Sequence, residues 1–249
     1  MVKSPCLICM SGAAGLPIAE HSVKSSPDAM QEDSDVSPIN ALPPVITALF
    51  IIMIGIEAMF ALGERGIIGG DAAFGWRVMA VETYGFNGQI LDWMLINGVY
   101  PVEHLIRLVA YLFVHANFTH MIFAGIMLLA LGKMVGEVFT SVATLAVFIL
   151  SGVFGALVYG YCLTETQWLI GGFPGVYGLI GAFTFLIWLR LRLTGQKQSK
   201  AFSMIMVLMG IQLVFSVFGG SNKWLADAAG FVGGFGLSFF VCPGGWRKI

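Results

Sequence analysis

The sequence predicts an all-α integral membrane protein, a bundle of six transmembrane helices with a long amphipathic connection between the first two. Three observations carry this expectation. Of the 249 residues, 57% are hydrophobic and only 11% charged, whereas a soluble domain carries about 25% charged residues. The mean hydropathy is +0.86. Apolar stretches of roughly 17 to 25 residues, long enough to cross about 30 Å of hydrocarbon as helix, recur along the chain.

Residues 1–40 are polar and rich in Ser, Pro and Asp, with Glu32, Asp33 and Asp35 close together. Such a composition buries too little apolar surface to fold, so a disordered tail is expected. The early apolar run "CLICMSGAAGLPIA" lacks the length and charged start of a signal peptide. Met30 opens a more ordinary beginning, and residues 1–29 read as upstream sequence before a misassigned start. Cys6 and Cys9 form a lone CxxC, and four Cys in all make no disulfide framework.

The spans fall at residues 44–62, 119–135, 141–162, 174–193, 202–218 and 225–241. Between the first two lies residues 63–106, rich in Gly and aromatics. A structureless loop of that length is uncommon. Short helices at the outer membrane interface are therefore expected, with Trp76, Tyr84, Trp93 and Tyr100 in the aromatic belt. Small residues cluster on three spans: Ser151, Gly152 and Gly155; Gly175, Gly178 and Gly181; Gly230, Gly233, Gly234 and Gly236. In lipid, helices associate through close packing of such faces.

Cytoplasmic loops collect Lys and Arg. With the N-terminus inside, Lys3, Lys24, Lys133, Arg190, Arg192, Lys197, Lys200, Arg247 and Lys248 lie inside, and Arg65, Arg77, Arg107 and Lys223 lie outside. Both termini are thus expected in the cytoplasm, in a multi-pass protein of a bacterial inner membrane. A net charge of −1 provides no basic stripe to neutralise phosphates, so no nucleic-acid partner is expected.

Few residues carry chemistry. His115 and His120, near the outer end of the second span, lack the further partners that zinc requires, with only His104 nearby. They suit a structural role over the helix start. Asp227 stands near the start of the sixth span, where the helix dipole favours a carboxylate. If it lies a full turn deep it must face a wet cavity or a partner. Glu57, seven residues before Glu64, poses the same choice and is expected at the interface. No cofactor and no metal is expected.

Taken together, three stretches resemble the rhomboid family of intramembrane serine proteases, over roughly residues 44–242. Arg107, His115 and His120 reproduce the family pattern RxxxxxxxHxxxxH before the second helix. Gly171 and Gly178 hold the outer glycines of the fourth-helix motif GxSGxxxG, with Tyr177 in a slot that is usually aromatic. Gly230 and Gly234 hold the glycines of the sixth-helix motif HxxGxxxG. The resemblance implies a rhomboid-like membrane domain over residues 41–245, with transmembrane clients or substrates in the lipid bilayer as partners.

The departures fall where the resemblance places the chemistry. The serine position is Phe173 and the following glycine Pro174; in a register slipped by one, the serine position is Pro174 itself. The base histidine is replaced by Asp227, and the asparagine four residues after His120 by Ala124, while Ile106 replaces the tryptophan before Arg107. By resemblance, the family's serine attacks the amide, a histidine takes its proton, and His120 with the asparagine would hold the oxyanion. Without an oxygen nucleophile no acyl intermediate forms. Ser151, Ser203, Ser216, Ser221 and Thr184 read as packing residues. The expectation is a catalytically inactive pseudoprotease that binds transmembrane clients, with an intramembrane serine endopeptidase as the alternative. A small transporter ranks last, because Glu57, Gln212 and Asp227 alone are strongly polar inside the spans.

Overall fold

The computed structural model describes residues 42–163, 166–219 and 221–242. The expected tail, with Cys6 and Cys9, lies outside the described residues. Helices α1 (Pro44–Glu64), α2 (Trp76–Tyr84), α3 (Gly88–Asn97), α4 (Val102–Ala110), α5 (Phe118–Gly136), α6 (Ser141–Cys162), α7 (Phe173–Leu193), α8 (Ser203–Gly219) and α9 (Trp224–Val241) follow in order, with short 3-10 turns at Gly70–Gly75, Tyr111–Phe113 and Gln198–Phe202. Helices α1, α5, α6, α7 and α9 are long and apolar enough to cross a membrane. Helix α8, with 17 residues, reaches about 26 Å at 1.5 Å per residue and sits at the short end of the spanning range. The chain is therefore a multi-pass, all-α membrane bundle.

Local chemistry sets the helix starts. The Asn117 side chain accepts the His120 N–H at 2.9 Å and opens α5. Thr140 does the same for α6 through Ala143, at 3.2 Å, and Asn87 for α3 through Ile90, at 3.0 Å. Each satisfies an N–H that the first helical turn would leave unpaired. Helix α7 has no such cap and carries Pro174 in its first turn, where the missing N–H costs no bond.

Helix α7 is the centre of the bundle and packs mainly on α9 and α6, with α5 beside it. A Cβ at Gly234 would run into the Gly178 carbonyl oxygen, and one at Gly230 into the Pro174 carbonyl oxygen. Gly178, Gly230 and Gly234 are thus places where the backbones of α7 and α9 touch, whereas Gly236 of the expected cluster has open space around it. Deeper along the seam, Phe185 meets Phe239 with ring centroids 4.7 Å apart and Phe235 at 5.8 Å. Helix α8 leans on α9 and the turn before it, and leaves Met206, Val207 and Ile211 more than half exposed.

The connection at 63–106 forms the expected short helices. Tyr84, Trp93 and Tyr100 are exposed as an interfacial belt requires. Trp76 departs from that expectation: its ring is half-buried and packs against Gly63 and Gly69. Glu57 departs as well. It is buried in α1 at 1% exposure and paired with Arg77 of α2 at 2.9 Å, instead of lying in the interface. Arg77 also reaches Glu64 at 2.6 Å and donates to the His115 carbonyl at 2.9 Å. Burial works against the Arg77 charge, but the hydrogen bonds it donates to both carboxylates outweigh it and hold the guanidinium above its ordinary pKa.

Candidate functional site

The N-terminal ends of α5, α7 and α9 meet the middle of α8 around a cavity of about 480 Å³. Helix α5 contributes His120, Phe123 and Met127 to its wall, and the start of α7 contributes Leu169, Ile170, Phe173, Pro174 and Tyr177. Helix α8 adds Leu208, Ile211 and Gln212, and α9 adds Asp227 with Lys223 just before it. A larger cavity of about 660 Å³ lies between α1, α2 and the turn at Tyr111–Phe113, but no carboxylate, imidazole or amine lines it. The smaller one holds the chemistry.

The approach to α7 is pinned from several sides. Phe86 and Leu169 exchange both backbone hydrogen bonds, at 3.2 and 2.7 Å, in an isolated antiparallel bridge. The Gly171 N–H donates to the Tyr111 carbonyl at 2.9 Å, and Tyr111 Oη donates to the Gly152 carbonyl at 2.8 Å. Burial pushes that phenol well above its ordinary pKa. Gly171 has φ +100°, and a Cβ there would collide with the His120 ring. Glycine is required on both counts.

The two histidines divide their work. The Gly172 N–H donates to His115 Nε2 at 3.3 Å, so an otherwise unpaired donor at the start of α7 finds its partner. His115 is 1% exposed and stands behind the cavity wall, with its ring 5.4 Å from that of His120. Burial, with a smaller contribution from His120, lowers its pKa to about 4. The imidazole is therefore neutral in the fold. His120 lines the cavity. Its Nδ1 accepts the Ala116 N–H at 3.3 Å, which leaves the proton of the neutral ring on Nε2. The Phe173 ring stacks on it, with centroids 5.2 Å apart at 25°.

Asp227 is buried at 4% exposure and accepts a hydrogen bond from Gln212 Nε2 across the gap between α8 and α9. It thus has both features that a deep position demands, a cavity and a partner. Lys223, one turn before it, is held below its usual pKa by burial. Ala124 is fully buried on α5, away from the cavity wall. Arg107 also lies apart: it donates to the Glu82 and Gly85 carbonyls at 2.7 and 2.9 Å, and its guanidinium lies 5.9 Å from the centre of the Trp168 ring. It fastens the interfacial connection to the approach to α7.

The structure thus gathers His120, Phe173, Pro174, Tyr177 and Asp227 in one cavity, with His115 directly behind. Gly178, Gly230 and Gly234 lie in the seam below. Sequence reasoning missed Lys223 as a cavity residue, although its i, i+4 spacing to Asp227 was a usable signal. It also missed the pairing of Gln212 with Asp227, which joins two helices and has no local signature.

A profile of the Rhomboid domain matches residues 102–244. A Bacillus subtilis (strain 168) protein named "Putative rhomboid protease YdcA" is 29% identical over 135 residues, which cover 53% of this chain. The match spans 65% of that relative's length, slightly under two thirds. The domain match takes in α4 through α9, the helices that build the cavity and the glycine seam, and the chain belongs to the rhomboid family.

Proposed function

We propose that this chain is a rhomboid pseudoprotease, a non-enzymatic membrane protein that uses the cavity to bind transmembrane helices of client proteins. One observation carries this reading. Among the described residues that line the cavity there is no Ser, Thr or Cys, and the one hydroxyl is the buried Tyr177 phenol. The family's serine position holds Phe173 or Pro174, and the family's base position holds Asp227. Removing the nucleophile of a serine protease costs on the order of 10⁶ in turnover. An absent oxyanion donor, here with Ala124 at the asparagine position, costs roughly 10² to 10³. Asp227 cannot compensate as a base, because no serine, threonine or cysteine lines the cavity beside it.

The alternative, an intramembrane serine endopeptidase, draws on the family and on the name of the Bacillus relative. The two readings separate on one measurement. The purified protein is expected to show no labelling by a fluorophosphonate probe, and a labelled serine located by mass spectrometry would overturn the pseudoprotease reading. Crosslinking in the native membrane should capture intact transmembrane partners rather than cleaved fragments.

A further inference from the structure

We propose that the cavity selects transmembrane partners carrying a carboxamide side chain, Asn or Gln, about one helical turn below the end of the bundle where the cavity lies. The inference rests on the client-binding reading above and names the class of client.

Within its apolar wall the cavity presents donors and acceptors side by side. His120 offers its Nε2–H, because Nδ1 already accepts from Ala116, and Lys223 offers an ammonium group. On the acceptor side stand the Asp227 carboxylate and Gln212 Oε1, which is buried and has no hydrogen-bond partner. Gln212 uses its amide N–H on Asp227, so its carbonyl is the atom left over. An unsatisfied buried acceptor leaves its desolvation penalty uncompensated. A group that satisfies it therefore gains more here than at a site already paired.

The balance of donors and acceptors selects the ligand. A Lys or Arg on the partner supplies donors alone, so it would leave His120 unmatched and meet the Lys223 charge. An Asp or Glu supplies acceptors alone and would meet the Asp227 charge. A carboxamide supplies two N–H donors and one carbonyl on a single planar group. It can donate to Gln212 Oε1 and Asp227 while accepting from His120 or Lys223. Access comes from the side: α5 and α8 form facing walls, and Phe123 and Ile211, both in the lining, are 61% and 51% exposed to the surroundings of the bundle. A partner helix can lie along that opening and place one side chain inside.

The test uses the full chain in phosphatidylcholine/phosphatidylglycerol vesicles. Synthetic Leu-rich transmembrane peptides carry one guest residue (Asn, Gln, Lys, Asp or Leu) four residues from the end facing the cavity, with a photocrosslinker one turn away. Asn and Gln guests are expected to crosslink about three- to thirtyfold more than Leu, the range of an interhelical polar contact in membranes, and more than Lys or Asp. In Gln212→Leu, on the loosely held α8, the ratio of Asn to Leu capture should fall towards one, with thermal unfolding as the check on folding. Asp227→Leu should act in the same direction. Equal capture of all guests overturns the carboxamide inference and leaves client binding standing. A preference for Lys likewise overturns it in favour of a cationic client. Failure to capture any peptide, Leu included, overturns the client-binding reading and this inference with it.

Discussion

His115 is held neutral by its surroundings, and this makes it one source of acid sensitivity. Its pKa in the fold is about 4 against an ordinary 6.5. Above pH 6.5 the imidazole is neutral in both folded and unfolded chains, and the shift has no effect. Between 6.5 and 4 the unfolded chain binds a proton that the folded chain excludes, so stability falls with falling pH, by about 3 kcal/mol once both forms are protonated. Melting temperatures in detergent at pH 7 and pH 4.5 should therefore separate more for the native protein than for His115→Gln. An equal separation would show that His115 is not the sensitive group. Glu57 makes the related point for charge. A carboxylate at 1% exposure is held by a two-pronged pair with Arg77, both contacts at 2.9 Å. Removing one member of such a pair is far more costly than removing both.

At the scale of the helices, the glycine seam decides which substitutions the bundle accepts. In Gly234→Ala the new methyl would meet the Gly178 backbone oxygen, and a carbonyl inside a helix cannot move aside. Helices α7 and α9 would have to separate, with a cost of several kcal/mol expected from overpacking and lost contact. Gly236, two residues later, has nothing within 4 Å of an added Cβ, and Ala is the better helix former by up to about 1 kcal/mol. Gly236→Ala should match or exceed the native melting temperature while Gly234→Ala falls well below it. Similar values for the two would mean that the seam is looser than described. The spans themselves were legible in the sequence to within two residues at each end, because hydrocarbon thickness imposes length and composition on each one separately. The inward turn of Trp76 and the burial of Glu57 were not. Both depend on α2 lying along α1, and no pattern within either segment encodes that docking.

For the whole molecule, we propose from the uneven spread of Lys and Arg that the termini are cytoplasmic and the cavity is on the outer side. Cys162, exposed at the end of α6 that the cavity shares, is a ready reporter. In a chain with Cys6→Ser and Cys9→Ser, a membrane-impermeant maleimide added to intact cells should label Cys162, and labelling only after lysis would reverse the orientation. The site was legible in part. The resemblance to the family motifs brought out His120, Phe173 and Asp227, and their spacing carries over because helices of fixed rise deliver residues at fixed depth. Gln212 and Lys223 gained meaning only once α8 and α9 faced each other across a gap. The seam has one more consequence. Its closest contacts are made by backbone carbonyls against glycines, so the side chains at 173 and 227, above it, contribute nothing to those crossings. Scaffold and cavity therefore answer to separate constraints: residues around the opening can be exchanged without disturbing the crossing beneath, which leaves the shape open to more than one use.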